Sequence, residues 1–323
     1  MPTHAAEYQA PVWLPGGDLQ TVYPYFFAPV PQVDYRRERW ELPDGDFLDL
    51  DWVDGAADVP LVVLFHGLEG NSHGFYARAL MNAVKQRGWR GVVVHFRGCS
   101  GEPNRLPRAY FAGDSAEIDY ILKRLKQTNG HAALYAIGVS LGGNALLKWL
   151  GEEGENATAA INRAVAISAP VDLTITGHNL DKVVNRYSYT AKFLSTLKQT
   201  ALQKLDTYPT LYERKKVEAL SSLYAFDDLV TAPLHGYRGA DDYWRRASSK
   251  PGLIHVRVPT LLINARNDPF MPGSALPRPD EVSSAITLDF PAQGGHVGFL
   301  EGPFPGNVNW LPQRVLGFFE TGQ

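Results

Sequence analysis

The sequence predicts an α/β fold with a mostly parallel sheet of roughly eight strands and helices on both faces. Two observations support this prediction: short unbroken apolar runs, and segments of helical periodicity between them. A run that is apolar throughout is typical of a strand buried on both faces, as parallel strands are. The runs that predict such strands are 61–65, 91–96, 134–137, 164–167, 261–263 and 286–290.

Helical patterns fill the intervals between these strands. Residues 114–128 place apolar side chains at helical spacing, and helices are predicted after the strands 61–65 and 134–137 as well. Strands that alternate with helices indicate βαβ units and therefore a parallel sheet. The other predicted helices are 72–87, ended by Gly88, 141–150, ended by Gly151, and the closing helix 307–320.

The alternation stops near residue 172 and resumes near residue 259. The segment between is mainly helical in pattern and rich in Lys and Tyr, so we expect it to cover one end of the sheet. Residues 1–35 are rich in Pro and aromatic residues and predict an irregular arm packed on the core, followed by a hairpin over 40–52. The predicted division is a core over 1–172, a helical cap over 173–250, and the continued core over 251–323.

Composition excludes several classes of function. The 323 residues carry a net charge of -3, without the basic excess that a nucleic-acid-binding protein needs. Cys99 is the single cysteine, so an intrachain disulfide is impossible. No signal peptide and no apolar run of membrane-spanning length is evident, so we expect a cytoplasmic protein without a membrane span. We expect neither a metal nor another cofactor, since no metal-ligand spacing and no dinucleotide-binding glycine pattern occurs.

The most informative motif is Gly138-Val139-Ser140-Leu141-Gly142, between a predicted buried strand and a predicted helix. A turn this sharp strains the serine backbone and presents the hydroxyl above the sheet, and small neighbours avoid clashes. The N-terminus of the helix behind it favours developing negative charge. Ser140 is therefore the candidate nucleophile, rather than part of a turn that only packs a helix.

A serine nucleophile needs a base, and the base needs an acid to orient it. Sites built on such a turn place the acid and then the base after the serine in the chain. Asp268 follows the strand 261–263, and His296 follows the last strand in a glycine-rich loop. Asp172, which follows the preceding strand, is the alternative acid.

Two backbone N–H groups should bind the oxyanion. One is expected from Leu141, directly after the serine, and the other from Leu68 in the loop after the strand 61–65. His66 in that loop is expected to be a structural hydrogen-bonding group rather than a base. Cys99 lies near the same edge of the sheet, but nothing around it activates a thiol, so a structural cysteine is the better interpretation than a Cys–His enzyme.

These motifs together resemble the α/β-hydrolase superfamily over most of the chain. More narrowly they are similar to the esterase branch typified by YheT, which is related to the membrane-anchored, lipid-cleaving α/β-hydrolases of animals. The residues that carry the resemblance are 19–21, 66–70, 96–101, 138–144, 264–265, 268–270 and 294–299. The resemblance implies a Ser140–Asp268–His296 triad, a sheet of about eight strands and a helical cap.

Two positions depart from the pattern of that family. Members often carry a second acidic residue where this chain has Asn267, which leaves Asp268 as the acid available there. A histidine is common before Leu19, where this chain has Asp18. Neither departure removes the implied triad. We expect no membrane anchor of the kind that the animal relatives carry.

The leading hypothesis is a serine hydrolase that cleaves carboxylic esters with short- to medium-chain or lipid-like acyl groups through an acyl-enzyme. An acyltransferase with the same triad shares the first half-reaction, and a non-catalytic binding protein on the same fold is the third interpretation. The cap is rich in Tyr, Phe and Leu, which could hold an acyl chain or form the core of the cap itself. A small-molecule ester is the expected partner; the sequence does not indicate an oligomeric state.

Overall fold

The computed structural model describes residues 7–182 and 185–322. The strands in these residues are β1 (Arg36–Glu41), β2 (Phe47–Val53), β3 (Leu61–Phe65), β4 (Arg90–His95), β5 (Leu134–Val139), β6 (Arg163–Ile167), β7 (Thr260–Ile263) and β8 (Ile286–Asp289). They form one sheet in the order β1-β2-β4-β3-β5-β6-β7-β8. β2 is antiparallel to β1 and β4, and the other neighbouring pairs are parallel. The predicted fold class is thereby confirmed.

Helices surround this sheet. Short 3₁₀ or π turns lie at Gly154–Asn156, Arg186–Thr190, Asp227–Thr231, Lys250–His255 and Pro279–Glu281. The helices of the described residues are α1 (Gly17–Phe27), α2 (Phe75–Gln86), α3 (Ser115–Thr128), α4 (Leu141–Glu153), α5 (Ala157–Ala160), α6 (Leu173–Leu180), α7 (Ala191–Thr207), α8 (Arg214–Ala219), α9 (Leu223–Phe226), α10 (Ala232–Leu234), α11 (Ala240–Ala247) and α12 (Trp310–Thr321).

The central strand β3 shows why its sequence is apolar throughout. Val63 and Phe65 point into a core shared with α3 and α4. Val62 and Leu64 point to the opposite face, into a core shared with α2 and α12. All four side chains are fully buried, because helices cover both faces of the sheet at this strand.

The N-terminal arm differs from the prediction, because α1 is a regular helix where we expected an irregular segment. Its N-terminus at Gly16 has no side-chain cap, and Pro24 lies inside it, so the usual sequence signals of a helix are missing. Contacts with the rest of the protein fix it instead, and its Gln20 is fully buried. Residues 1–6 of the predicted arm lie outside the described residues.

Three helix boundaries also differ from the prediction. The closing helix α12 begins at Trp310 rather than at residue 307, because residues 307–309 form a bridge and a bend instead. α4 continues past Gly151 because this glycine serves packing: a Cβ there would lie 2.7 Å from the carbonyl oxygen of Gly252. α2 begins at Phe75 rather than at residue 72, since the Gly74 N–H closes a turn onto the Asn71 carbonyl at 3.2 Å. Gly151 thus allows two backbone segments to approach closely within a helix, whereas Gly74 belongs to the turn that precedes one.

The helices α6–α11 lie between β6 and β7, and α6–α9 pack around an apolar cluster that also includes residues after β7. Leu180, Val217, Phe226 and Val230 belong to this cluster. The same helices line a cavity that also contains Ser140, so they lie over the end of the sheet where β5 meets α4. The boundaries predicted for the cap remain a prediction.

Candidate active site

Ser140 occupies the turn between β5 and α4. Its backbone has φ 51° and ψ -119°, a conformation that a residue with a side chain adopts only under strain. The Ser140 N–H donates to the Ile167 carbonyl at 2.8 Å, which ties the turn to the end of β6. The strained turn is therefore held by the neighbouring strand, and the side chain is half-buried.

The two glycines of the motif are sterically required. A Cβ at Gly138 would lie 2.6 Å from the Gly142 carbonyl oxygen. A Cβ at Gly142 would lie 2.5 Å from the carbonyl oxygens of both Phe65 and His66. These distances leave no room for a side chain, because in each case the obstacle is backbone. The start of α4 can lie this close to β3 only when residue 142 is glycine.

The structure brings the three predicted side chains into one hydrogen-bonded chain. His296 Nε2 lies 3.0 Å from Ser140 Oγ, and His296 Nδ1 lies 2.9 Å from Asp268 Oδ2. The second carboxylate oxygen of Asp268 accepts the Phe270 N–H at 2.8 Å. The Asp268 side chain is 0% exposed and that of His296 is 11% exposed. Such an arrangement can move a proton from the serine hydroxyl to the imidazole.

The loop that carries His296 is held by α1. The His296 N–H donates to Thr21 Oγ1 at 2.8 Å, and the Gly294 N–H donates to Gln20 Oε1 at 2.9 Å. The residue pairs are separated by more than 270 positions in the chain. The sequence match at residues 19–21 was noted above, but no role for Gln20 or Thr21 followed from it.

Asn267 stabilises the same loop. Its Oδ1 accepts the Gly295 N–H at 3.0 Å, and its Nδ2 donates to Gln20 Oε1 at 2.9 Å. An aspartate at this position could not make the second bond, because a carboxylate has no N–H to donate. The departure at Asn267 from the family pattern therefore serves the connection between α1 and the His296 loop.

At the start of the loop after β3, the hydrogen bonds of three successive N–H groups determine which of them a ligand can reach. The Gly67 N–H donates to the Tyr76 hydroxyl at 3.0 Å, and the Glu69 N–H donates to the Tyr110 hydroxyl at 2.7 Å. The Leu68 N–H between them has no partner among the described residues. The two tyrosines, which the sequence analysis missed, thus occupy the neighbouring donors and leave that of Leu68 available to a ligand.

Leu141 is the first residue of α4, so its N–H has no acceptor within the helix. Leu68 and Leu141 line the same cavity as Ser140 and His296. Both predicted oxyanion donors therefore lie on residues around the serine. A helix N-terminus next to the hydroxyl also favours negative charge at that point.

His66 has the structural contacts that the sequence analysis expected. Its Nε2 lies 3.1 Å from the Phe96 N–H and its Nδ1 lies 2.7 Å from the Gly67 carbonyl oxygen. Since the Phe96 N–H needs an acceptor, Nε2 carries the lone pair and Nδ1 carries the proton. Burial lowers the pKa of His66 to about 3, so the ring is neutral at physiological pH.

Neither alternative candidate joins the serine and histidine. Asp172 caps α6, where its Oδ1 accepts the Ile175 N–H at 3.0 Å, whereas the carboxylate on His296 belongs to Asp268. Burial raises the pKa of the Cys99 thiol well above its usual range, which disfavours the nucleophilic thiolate. In the described part of the chain, no group of three His, Cys, Asp or Glu side chains is arranged to hold a metal.

The cavity at Ser140 has a volume of about 170 Å³ and is lined mainly by apolar side chains from the cap and the sheet end. Phe270 covers the imidazole of His296, with ring centroids 4.1 Å apart. Among the residues described, none of the helices is long and apolar enough to cross a bilayer.

Comparisons with known proteins agree with this architecture. Residues 60–303 match the family model for the alpha/beta hydrolase fold. The chain is 40% identical to YheT of Escherichia coli (strain K12), an esterase-like protein, over 94% of this chain and 90% of that protein. It is 28% identical to human phospholipase ABHD3, over 99% of this chain and 80% of the relative.

A solved structure shows the same fold at low sequence identity. The esterase Pf2001 of Pyrococcus furiosus superposes with a TM-score of 0.57 at 16% identity, over 90% of this chain and 96% of that one. The family model and the YheT relative extend this likeness to sequence. The chain therefore belongs to the α/β-hydrolase family, and it is a hydrolytic enzyme of the esterase and lipase type.

Proposed function

We propose that the protein hydrolyses carboxylic esters through an acyl-enzyme, with Ser140 as nucleophile, His296 as general base and Asp268 as the acid that orients it. The continuous chain of hydrogen bonds from Asp268 through His296 to Ser140 carries the proposal. Buried Asp268 accepts from Nδ1, which leaves the lone pair of Nε2 directed at the serine hydroxyl.

In the proposed reaction, Ser140 Oγ attacks the ester carbonyl carbon while His296 Nε2 takes the hydroxyl proton. The carbonyl oxygen becomes an oxyanion, to which the N–H groups of Leu68 and Leu141 donate. The imidazolium then protonates the departing alcohol, and the acyl group remains on Ser140. Water, activated by the same imidazole, attacks the acyl carbon and releases the acid and the free serine.

The cavity supports an apolar acyl group of short to medium length. Its volume of about 170 Å³ is below the ~300–1,000 Å³ of common small-molecule pockets, which favours a short or medium chain over a long one. The names of two relatives, an esterase and a phospholipase, point to acyl esters as the shared substrate class. We propose a small-molecule ester as the partner of this site.

A fluorophosphonate probe tests the proposal. We expect it to label the wild-type protein and to leave Ser140→Ala unlabelled, since the probe reacts with an activated serine. Ser195→Ala is the matched control, because Ser195 is an exposed serine on α7 that bonds only to the Lys192 carbonyl. This variant should label like the wild type.

A p-nitrophenyl ester series of increasing chain length, run on the same three proteins, then gives the acyl preference. No labelling and no turnover of any ester by the wild type would favour a non-catalytic binding protein. The wild type could instead be labelled but hydrolyse esters slowly. If added alcohols then increased turnover and a new ester formed, the result would favour an acyltransferase.

Tyr110→Phe should lower kcat for a p-nitrophenyl ester by about 10- to 100-fold, with a smaller change in KM. The Tyr110 hydroxyl accepts the Glu69 N–H and donates to Glu69 Oε1 at 2.8 Å, so its loss frees the loop that presents the Leu68 N–H. The phenyl ring keeps its stacking on Phe96. Steady-state kinetics separate the two constants.

Tyr120→Phe is the control for this variant, because the Tyr120 hydroxyl accepts from Arg124 on α3 and Tyr120 does not line the cavity. An equal decrease of kcat in both variants, or a change in Tyr110→Phe that is confined to KM, would show that Tyr110 does not position the loop of Leu68.

A further inference from the structure

The cavity at Ser140 has walls of two kinds. On the side of His296 the wall is apolar and includes Phe226 and Val230 of the cap and Phe270 from the loop after β7, which belong to one apolar cluster. On the side of Leu141 the wall is formed by a second cluster, which contains Tyr243 and Trp244. We call this second side the Trp244 wall. Next to it lie polar atoms that have no role in the proposed ester hydrolysis.

Thr176 is the first of these polar groups. It lies on α6, lines the cavity and is 5% exposed. A threonine within a helix often donates its hydroxyl to the carbonyl four residues before it, but the Thr176 Oγ1 has no partner among the described residues. A buried hydroxyl without a partner is unfavourable, so a ligand group that bonds to it would be favoured.

His235 is the second. Its ring stacks on Phe111 with centroids 4.0 Å apart, and its Nε2 is buried without a partner in the described chain. Burial lowers the pKa of His235 to about 4, so the ring is neutral at physiological pH and offers one N–H and one lone pair. His235 also lines the cavity.

Thr176 and His235 both lie next to the Trp244 wall, which adjoins Ser140. Gly177, the neighbour of Thr176, packs so tightly on the Trp244 ring that a Cβ would lie 2.5 Å from it. Phe111, on which His235 stacks, and Leu141, the residue after Ser140, both pack against the same cluster. The same cluster therefore connects the surroundings of both polar groups with the residue that follows Ser140.

The charges of the cavity disfavour an ionic ligand at this wall. Asp227 contributes a carboxylate that already accepts from Thr231 and Trp244, so an anion would be repelled. The two cations that line the cavity are engaged elsewhere: Arg97 with acidic side chains, and Lys204 with backbone carbonyls of residues 104 and 106. A neutral group that both donates and accepts fits Thr176 and His235 best, and a hydroxyl is the simplest such group.

We propose that Thr176 and His235 form a hydroxyl-binding subsite, so that the preferred esters carry a hydroxyl group on the part of the molecule that lies along the Trp244 wall. This inference rests on the proposed ester hydrolysis, and it adds a substrate feature to it. The hydroxyl could belong to the acyl or to the alcohol part of the ester, and the test distinguishes the two.

The test compares esters in which a hydroxyl replaces a methyl group of the same size. 2-Hydroxyethyl butanoate is compared with propyl butanoate, and propyl 3-hydroxybutanoate with propyl 3-methylbutanoate. One neutral hydrogen bond at a buried site corresponds to a preference of about three- to tenfold in kcat/KM for one hydroxylated ester over its methyl partner. We expect Thr176→Val to reduce this ratio to about one and Thr176→Ser to retain it.

Thr196→Val is the matched control, since the Thr196 hydroxyl bonds to the Phe193 carbonyl and Thr196 does not line the cavity; the ratio should stay as in the wild type. Calorimetric titration of Ser140→Ala with the same four esters measures the preference as a ratio of Kd values without turnover. A preference in Kd without wild-type turnover would overturn the ester hydrolysis and keep the subsite.

Turnover with no preference in either pair would overturn the subsite and keep the hydrolysis. A preference that persists in both Thr176→Val and His235→Phe would also overturn the subsite, even where one of these variants is less stable.

Discussion

Asp268→Asn should lower kcat for a p-nitrophenyl ester by about 10⁴-fold. Asp268 Oδ2 accepts from His296 Nδ1, and this bond fixes the tautomer in which Nε2 can accept the Ser140 proton. An asparagine can present its amide N–H to the ring instead, which favours the tautomer with the proton on Nε2. The geometry would persist while the base is lost, so fluorophosphonate labelling should slow in parallel with kcat.

Asp172→Asn is the control for this prediction, because Asp172 was the alternative acid in the sequence. It caps α6, and asparagine caps a helix about as well as aspartate does. We expect its kcat to stay within about twofold of the wild type. A large loss in Asp172→Asn with little loss in Asp268→Asn would reverse the assignment of the acid.

Gly142→Ala should lower the free energy of unfolding by about 3 kcal/mol or more. The added Cβ would lie 2.5 Å from two carbonyl oxygens, those of Phe65 and His66. Phe65 belongs to β3, which is paired on both sides, so its carbonyl cannot shift without disturbing the centre of the sheet. Urea unfolding followed by circular dichroism measures the change.

Gly317→Ala makes the same chemical change, but we expect it to stabilise the protein. Gly317 lies within α12, and a Cβ there meets nothing within 4 Å beyond the backbone of its own helix. Alanine in a helix is favoured over glycine by about 0.5–1 kcal/mol, so this variant should be more stable than the wild type. Equal stability of Gly142→Ala and the wild type would mean that α4 can move away from β3.

The elements that the sequence predicted well are those whose causes are local. The apolar run of β3 predicts a strand because both faces of that strand are buried. The glycines around Ser140 predict a sharp turn because backbone lies against each of them. Asp268 and His296 followed from chain order after a strand, and the structure brings both to Ser140.

The elements that the sequence did not predict depend on distant residues. Helix α1 has neither a capping side chain nor a continuous polar face, and its role comes from Gln20 and Thr21, which bond to a loop at the other end of the chain. Tyr76 and Tyr110 are ordinary aromatic residues in the sequence. Their hydroxyls gain a role only because the fold places them beside the loop of Leu68.

The contact between α1 and the His296 loop can form only late in synthesis, because its two sides lie far apart in the chain. Thr21 leaves the ribosome about 275 residues ahead of its partner. At ~5–20 residues per second, that interval lasts tens of seconds. Ser140 itself precedes His296 by 156 positions, so for the later part of this interval the serine hydroxyl has no imidazole beside it. In the nascent chain the hydrogen-bonded chain from Asp268 through His296 to Ser140 therefore cannot form before His296 has emerged, however early the turn at Ser140 folds.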